Sequence, residues 1–200
     1  MLRTSLAAAF VLCLWALPAG AATPQEVDES VKRAKAWLFA QQKAGTWETQ
    51  PAPDPAANPW QAGGGQWGGT TALVTYAMLV GGESPQHEKL APAIEFLKKT
   101  DLKGTYALAL RAQVWAALPS TPELKGLITK DANTLRAMLK TKGEASGFFD
   151  YSNTPKDGYS HSRGNYGVLG MWALEQAGIE VPITFWQIVE KGWIRHQDPS

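Results

Sequence analysis

Arg33-Ala34-Lys35-Ala36-Trp37-Leu38-Phe39-Ala40-Gln41-Gln42-Lys43-Ala44-Gly45-Thr46-Trp47 decides how this chain is read. The stretch closes an amphipathic helix with a polar amide, a glycine and, two residues on, a tryptophan. Working back from it, Val31, Ala34, Trp37, Leu38 and Gln41 recur at the i, i+3, i+4 spacing of one helix face, and Lys32, Arg33 and Lys35 take the other. The spacing predicts a helix over Val27 to Gln42. Pro24, Glu26 and Asp28 suit its start, where the helix dipole favours acids. Gly45 suits its end.

Working forward, helical patterns of two kinds alternate. Thr70 to Val80 is apolar nearly all round, as buried helices are. His87 to Lys99 is amphipathic, with Leu90, Ile94 and Leu97 on one face. Tyr106 to Leu118 is apolar again, and Pro122 to Lys142, stopped by Gly143, is amphipathic. Asn165 to Ala177 is apolar, and Ile183 to His196 returns to the amphipathic type. Strand-like alternation is nearly absent. A bundle in which every helix has one wet face does not alternate in this way. Two walls of helices, an outer amphipathic one and an inner apolar one, do.

The helix-end motif recurs. Trp37-Leu38 leads to Gly45-x-Trp47, Phe96-Leu97 to Gly104-x-Tyr106, and Met138-Leu139, with one extra residue, to Gly147-x-Phe149. A further copy opens at Trp193-Ile194. Irregular recurrence of one unit is the signature of a helical repeat array. Between the first two helices, Glu48 to Gly69 is a long Pro/Gly segment that also holds Trp60 and Trp67, and a loop of that length is functional or mobile.

Bulk composition excludes several classes. Arg3, the apolar run Leu6 to Leu17 and the small residues Ala19-Gly20-Ala21 read as a secretory leader over residues 1–22. The alternative is a retained N-terminal anchor. The run is short for a span of about 20 residues, and no second one follows. The leader reading makes the mature chain periplasmic or extracellular, with one domain over residues 23–200. Cys13, the one cysteine, leaves with the leader, so disulfide, thiolate and cysteine-metal chemistry are excluded. A formal charge of +1, which falls by one without Arg3, gives no basic excess for nucleic acid. Nine tryptophans imply an aromatic core or an aromatic-lined cavity.

The repeat resembles the Gln-Trp repeat of triterpene cyclases and, more broadly, the prenyltransferase/squalene-oxidase repeat of α/α-toroid proteins. The first copy carries that pattern as Arg33-Ala34, Trp37, Leu38, Gln42, Gly45 and Trp47, and Gly69 to Leu79 looks like the inner helix that follows. In character the chain is closest to secreted bacterial members without an assigned reaction. The resemblance implies an all-α partial toroid of alternating outer amphipathic and inner apolar helices. It also implies structural roles for Trp37, Gln42, Gly45, Trp47, Phe96, Gly104, Tyr106, Gly147 and Phe149. A closed toroid of this family has more helices than the seven read here. A downstream continuation, a second copy or a partner is therefore expected to complete it. The family's reactive residues are missing: no Asp-x-Asp-Asp acid, no Asp/Cys/His zinc set and no Cys-Gly-Glu-Gln thioester occurs in the mature chain.

The remaining candidate site runs from Phe148 to Asn165. Asp150 and Asp157 supply acids, His161 a titratable base, Arg163 an anion binder, Tyr151 and Tyr159 aromatic surface, and Asn165 a polar side chain at the next helix. The simpler reading is a loop whose Ser160 or Ser162 caps that helix. His87, His161 and His196 show no metal-ligand spacing, so neither metal nor cofactor is expected. Gly63-Gly64-Gly65-Gln66-Trp67-Gly68-Gly69 lacks the lysine and preceding strand of a phosphate loop. The expected function is a non-catalytic binding or scaffold module for an apolar or glycan-like ligand or a protein. The alternatives are a cyclase, prenyltransferase-like or polysaccharide-cleaving enzyme, or a truncated product without independent function.

Overall fold

The computed structural model describes residues 21–54, 65–153 and 158–197. The leader lies almost wholly outside them, as do Trp60, Asp157 and Ser200. The described residues form seven helices: α1 (Pro24–Gln41), α2 (Gly69–Val80), α3 (Leu90–Lys99), α4 (Thr105–Ala117), α5 (Pro122–Met138), α6 (His161–Gln176) and α7 (Ile183–Arg195). Among these residues there is no strand, only isolated bridges such as Leu139 with Phe149.

Every expected helix is present, and hydrogen bonds at their ends account for the moved boundaries of α1, α5 and α6. α1 starts at Pro24 because Thr23 and Glu26 form a capping box. The Glu26 carboxylate accepts from Thr23 N at 2.8 Å, and Thr23 Oγ1 accepts from Glu26 N at 3.3 Å. Those hydrogen bonds, the backbone one foremost, hold the Glu26 carboxyl below its usual range. α5 stops at Met138, short of Lys142. Leu139 turns extended, Lys140 N donates to Phe148 O, and Asp150 N donates to Met138 O. α6 starts at His161, ahead of Asn165, because Ser160 Oγ accepts from Arg163 N.

The chain divides between Ala36 and Trp37 into two units. In the first, the apolar stripe of α1 is open to solvent at Val27 and Val31. In the second, α1 ends at Gln41 before Gly45 is reached. Lys43 and Thr46 then exchange backbone hydrogen bonds across a tight turn, with Ala44 and Gly45 both at positive φ. Gly104 has an extended φ of −93° and is needed for a different reason. A Cβ there would collide with the Gly65 carbonyl and the Gln66 amide.

α2, α4 and α6 lie side by side and parallel, with α4 in the middle. Gly69 meets Ala107 where α2 and α4 begin, and Tyr76 and Val80 share a cleft with Gln113 and Ala117 where they end. Tyr106 Oη is 2.8 Å from Ser162 Oγ near the starts of α4 and α6, and Gln113 Nε2 donates to Leu169 O further along. Parallel neighbours cannot be joined by a tight turn, so the chain must travel back between them. α3 returns it from α2 to α4, and α5 takes part in the return from α4 to α6. Leu97, Leu108, Trp115, Leu135, Phe149 and Met171 are buried in the main core. Trp47, Val74, Met78, Leu90 and Ile94 form a second cluster.

A buried polar lock joins α3, α4 and α5. Arg111 Nε and Nη2 donate to the two oxygens of Asp131 at 2.9 and 2.5 Å, and Trp115 Nε1 donates to the same carboxylate at 2.8 Å. Arg111 Nη1 reaches the Leu97 and Thr100 carbonyls and so satisfies the end of α3. Both charged side chains are 3% exposed or less, which is tolerable only because every group has a partner.

α6 is threaded with glycines where it meets its neighbours. A Cβ on Gly164 would sit 2.8 Å from the Phe148 ring, one on Gly170 would sit 2.8 Å from Ala109 Cα, and one on Gly167 would overlap the Phe149 ring.

Candidate functional site

The segment from Phe148 to Asn165 brings its residues into two separate groups. Asp150 belongs to neither as an open acid. Its side chain is nearly buried, 2.8 Å from Lys140 Nζ, and its carbonyl accepts from Thr105 Oγ1. Tyr151 is held by its carbonyl, which accepts from Thr105 N at 3.0 Å and Gln66 Nε2 at 2.9 Å. Asp157 lies outside the described residues.

The first group faces α7. Tyr159 and His161 pack with the buried Phe148, at ring separations of 5.0 and 5.3 Å, and His161 also meets Trp193. His196 Nδ1 is 2.9 Å from Gly192 O and its Nε2 is 2.7 Å from Tyr159 Oη. A carbonyl only accepts, so Nδ1 carries the proton, and in the neutral ring Nε2 accepts from the tyrosine hydroxyl. Both nitrogens are thereby committed to holding the α6 approach against α7.

The second group lies at the start of α4 and α6. Arg163 N and Nε both donate to Ser160 Oγ, at 3.3 and 3.0 Å. Ser160 Oγ is 3.2 Å from Ser162 Oγ, which is 2.8 Å from Tyr106 Oη. Tyr106 stands edge-on to Tyr151 and Tyr166, at 5.8 and 4.8 Å. The result is a run of hydroxyls edged by three tyrosines. Asn165 is exposed one turn into α6.

Beyond this run, the three parallel helices present an open apolar face. Leu73 and Val80 on α2 and Leu169 and Trp172 on α6 are 50%, 62%, 48% and 51% exposed. Toward the helix ends the face dips into a cleft of about 260 Å3 that Tyr76, Val80, Gln113 and Trp172 help to line. The arrangement suits binding: aromatic and aliphatic surface with a polar end.

The repeat residues divide by position. Trp47 is buried, and its Nε1 donates to Leu38 O at 2.6 Å, so the indole satisfies an orphan carbonyl at the end of α1. Gln42 Nε2 donates to Lys89 O at 2.7 Å, tying that same end to the start of α3. Phe149 is buried beneath Gly167, and Gly147, at φ +95°, lies against Gly192. Tyr106 differs from Trp47 and Phe149, since it sits inside α4, half-buried among hydroxyls. Phe96 meets Trp67 edge-on at 5.3 Å, and Trp37 is 63% exposed.

Sequence reasoning missed Gln66 and Glu48. Gln66 Oε1 accepts from Tyr106 N and Ala107 N and so caps α4 across 40 positions of chain. Glu48 Oε1 accepts from Thr71 N and caps α2. No local pattern marks a cap supplied from so far away. Among the described residues no three His, Cys, Asp or Glu side chains are grouped so as to hold a metal. No described helix is long and apolar enough to cross a membrane. No family model, curated protein or solved structure matches the chain.

Proposed function

We propose that this chain is a secreted repeat domain of α/α-toroid type that acts as a non-catalytic binding or scaffold module. Its ligand is an apolar or glycan-like molecule or another protein. The open face of α2, α4 and α6 carries the proposal. Four large apolar side chains, each about half exposed or more, lie on the two helices that flank α4, Val80 and Trp172 share a cleft across it, and exposed apolar surface of this kind marks an interaction site. Parallel apolar helices linked through amphipathic ones also fit the inner and outer walls of a toroid. The same face would then belong to the inner wall. An enzyme has less support in the site itself: Asp150 is engaged by Lys140, and the candidate base His161 is packed among the rings of Phe148, Trp193 and His196.

The test is an apolar fluorescent probe, 1-anilinonaphthalene-8-sulfonate, added to folded protein whose near-ultraviolet circular dichroism shows fixed packing. The expected result is probe binding that Leu169→Ser and Trp172→Ala reduce. A monomer that binds no probe would overturn the reading.

A further inference from the structure

A second cleft, of about 320 Å3, opens where α1 ends against the start of α2. Leu38, Trp47 and Val74 form its apolar floor, and Trp37 stands beside it 63% exposed. Around the rim are Gln41, Lys43, Glu48, Thr49 and Thr70. It shares no residue with the cleft on the open face. On α2, Thr70 and Val74 line it, whereas Leu73 and Val80 belong to that face.

We infer that this cleft is a subsite for a short oligosaccharide of neutral hexopyranoses. A pyranose ring has one apolar face of C–H groups and a belt of hydroxyls that both donate and accept. An exposed indole matches the first, because its electron-rich face attracts polarised C–H groups. The rim matches the second. Glu48 Oε1 is spent on Thr71 N and Oγ1, which fixes the carboxylate and leaves Oε2 to accept. The Gln41 amide, the Lys43 ammonium and the Thr49 and Thr70 hydroxyls add donors and acceptors. One cation and one anion leave no charge excess for a phosphate or a polyanion. A lipid chain would use the apolar floor alone and make no use of the five polar side chains around it. The volume lies at the small end of the roughly 300–1,000 Å3 found for small-molecule sites and suits one or two sugar rings. The floor is prearranged: Trp47 N donates to Thr71 Oγ1 and its indole N–H to Leu38 O, so little ordering is left for binding to supply.

The experiment titrates the whole chain with cellotetraose, chitotetraose and maltotetraose, each to about 10 mM, following tryptophan fluorescence and heat. At least one sugar should saturate with a Kd of about 1 mM or tighter. Trp37→Ala should weaken that sugar at least tenfold and Gln41→Ala several-fold, both with unchanged Tm because the two side chains are exposed. Ile183→Ala, which does not line the cleft, should bind as the unaltered chain does. Saturation by none of the three sugars, or equal affinity in Trp37→Ala, would overturn the inference. Either result would leave the apolar-probe test of the open face standing.

Discussion

α1 and α5 are both amphipathic helices that begin with Pro at the first position and an acid in the first turn, yet they are held in different ways. α1 has no buried residue. α5 buries Leu124, Ile128, Ala132, Leu135 and Met138, and with them Asp131. The stripe of α1 is as regular as that of α5, so periodicity states that a face could be covered and leaves open whether it is. α5 is also fixed by polar contacts that its stripe conceals. Asp131 sits within the apolar face and, read alone, would argue against burial there.

The sharpest way to break this comparison is Asp131→Ala. It strands the Arg111 guanidinium and the Trp115 indole in the core, and unfolding by urea should show a loss of about 3–5 kcal/mol. A loss under about 1 kcal/mol would mean that the lock contributes little and that α5 is held by apolar packing alone. Trp47→Ala tests the last turn of α1, the part that does engage its surroundings, and should cost about 3–5 kcal/mol as a buried aromatic is lost. Thr121→Ala removes the side chain that accepts from Leu124 N at the start of α5 and should cost about 1 kcal/mol in the same assay. Val31→Ser, on the open stripe of α1, should stay within about 0.5 kcal/mol. A larger loss there would show that the stripe is covered in solution.

The smallest effect concerns acid. The hydrogen bond from Lys130 Nζ, 2.8 Å from Asp101 Oδ1, holds the Asp101 carboxyl below its usual range, with the lysine's charge adding to it. A depressed folded value stabilises the native state at neutral pH and is lost as pH falls through it. Both side chains are more than half exposed, so solvent screening leaves at most about 0.5 kcal/mol. The stability gap between the unaltered chain and Asp101→Asn should hold from neutral pH down to the ordinary aspartate range of about pH 4 and shrink as pH falls below it. A gap that does not shrink on further acidification would exclude the ion pair as its source.

The helices were legible because their signals are local: apolar spacing, Ser160 and Thr121 before a helix start, and the glycines near the ends. α5 is shorter than its pattern predicts because Lys140, Lys142 and Gly143 imitate a helix C-terminus beyond its true end at Met138. The bridge of Leu139 to Phe149, which ends the helix early, is invisible until both segments are placed. Of the three helices whose apolar patterns predict burial, only α4 lies between two others, whereas α2 and α6 leave Leu73, Val80, Leu169 and Trp172 about half exposed or more. The contents of the candidate segment were legible, but their grouping was not. Asp150 is taken by Lys140 and Tyr159 by His196, and neither pairing follows a sequence interval. Arg111 and Asp131 escaped for the same reason: Arg111 is the one charge of α4, Asp131 is one of several on α5, and the 20 positions between them follow no local spacing.

The glycines of α6 bear on the order in which the molecule assembles. Gly164, Gly167 and Gly170 each lower intrinsic helicity by about 1 kcal/mol relative to alanine, and a helix of this length is marginal in water even with a favourable sequence. As a free peptide α6 would be mostly coil. It becomes worth forming only once Phe148, Phe149 and the Ala109 side of α4 are in place for those glycines to approach. α6 should therefore be among the last helices to condense during folding and among the first to be lost when its neighbours loosen. The open apolar face would then exist only in molecules that have completed every earlier step.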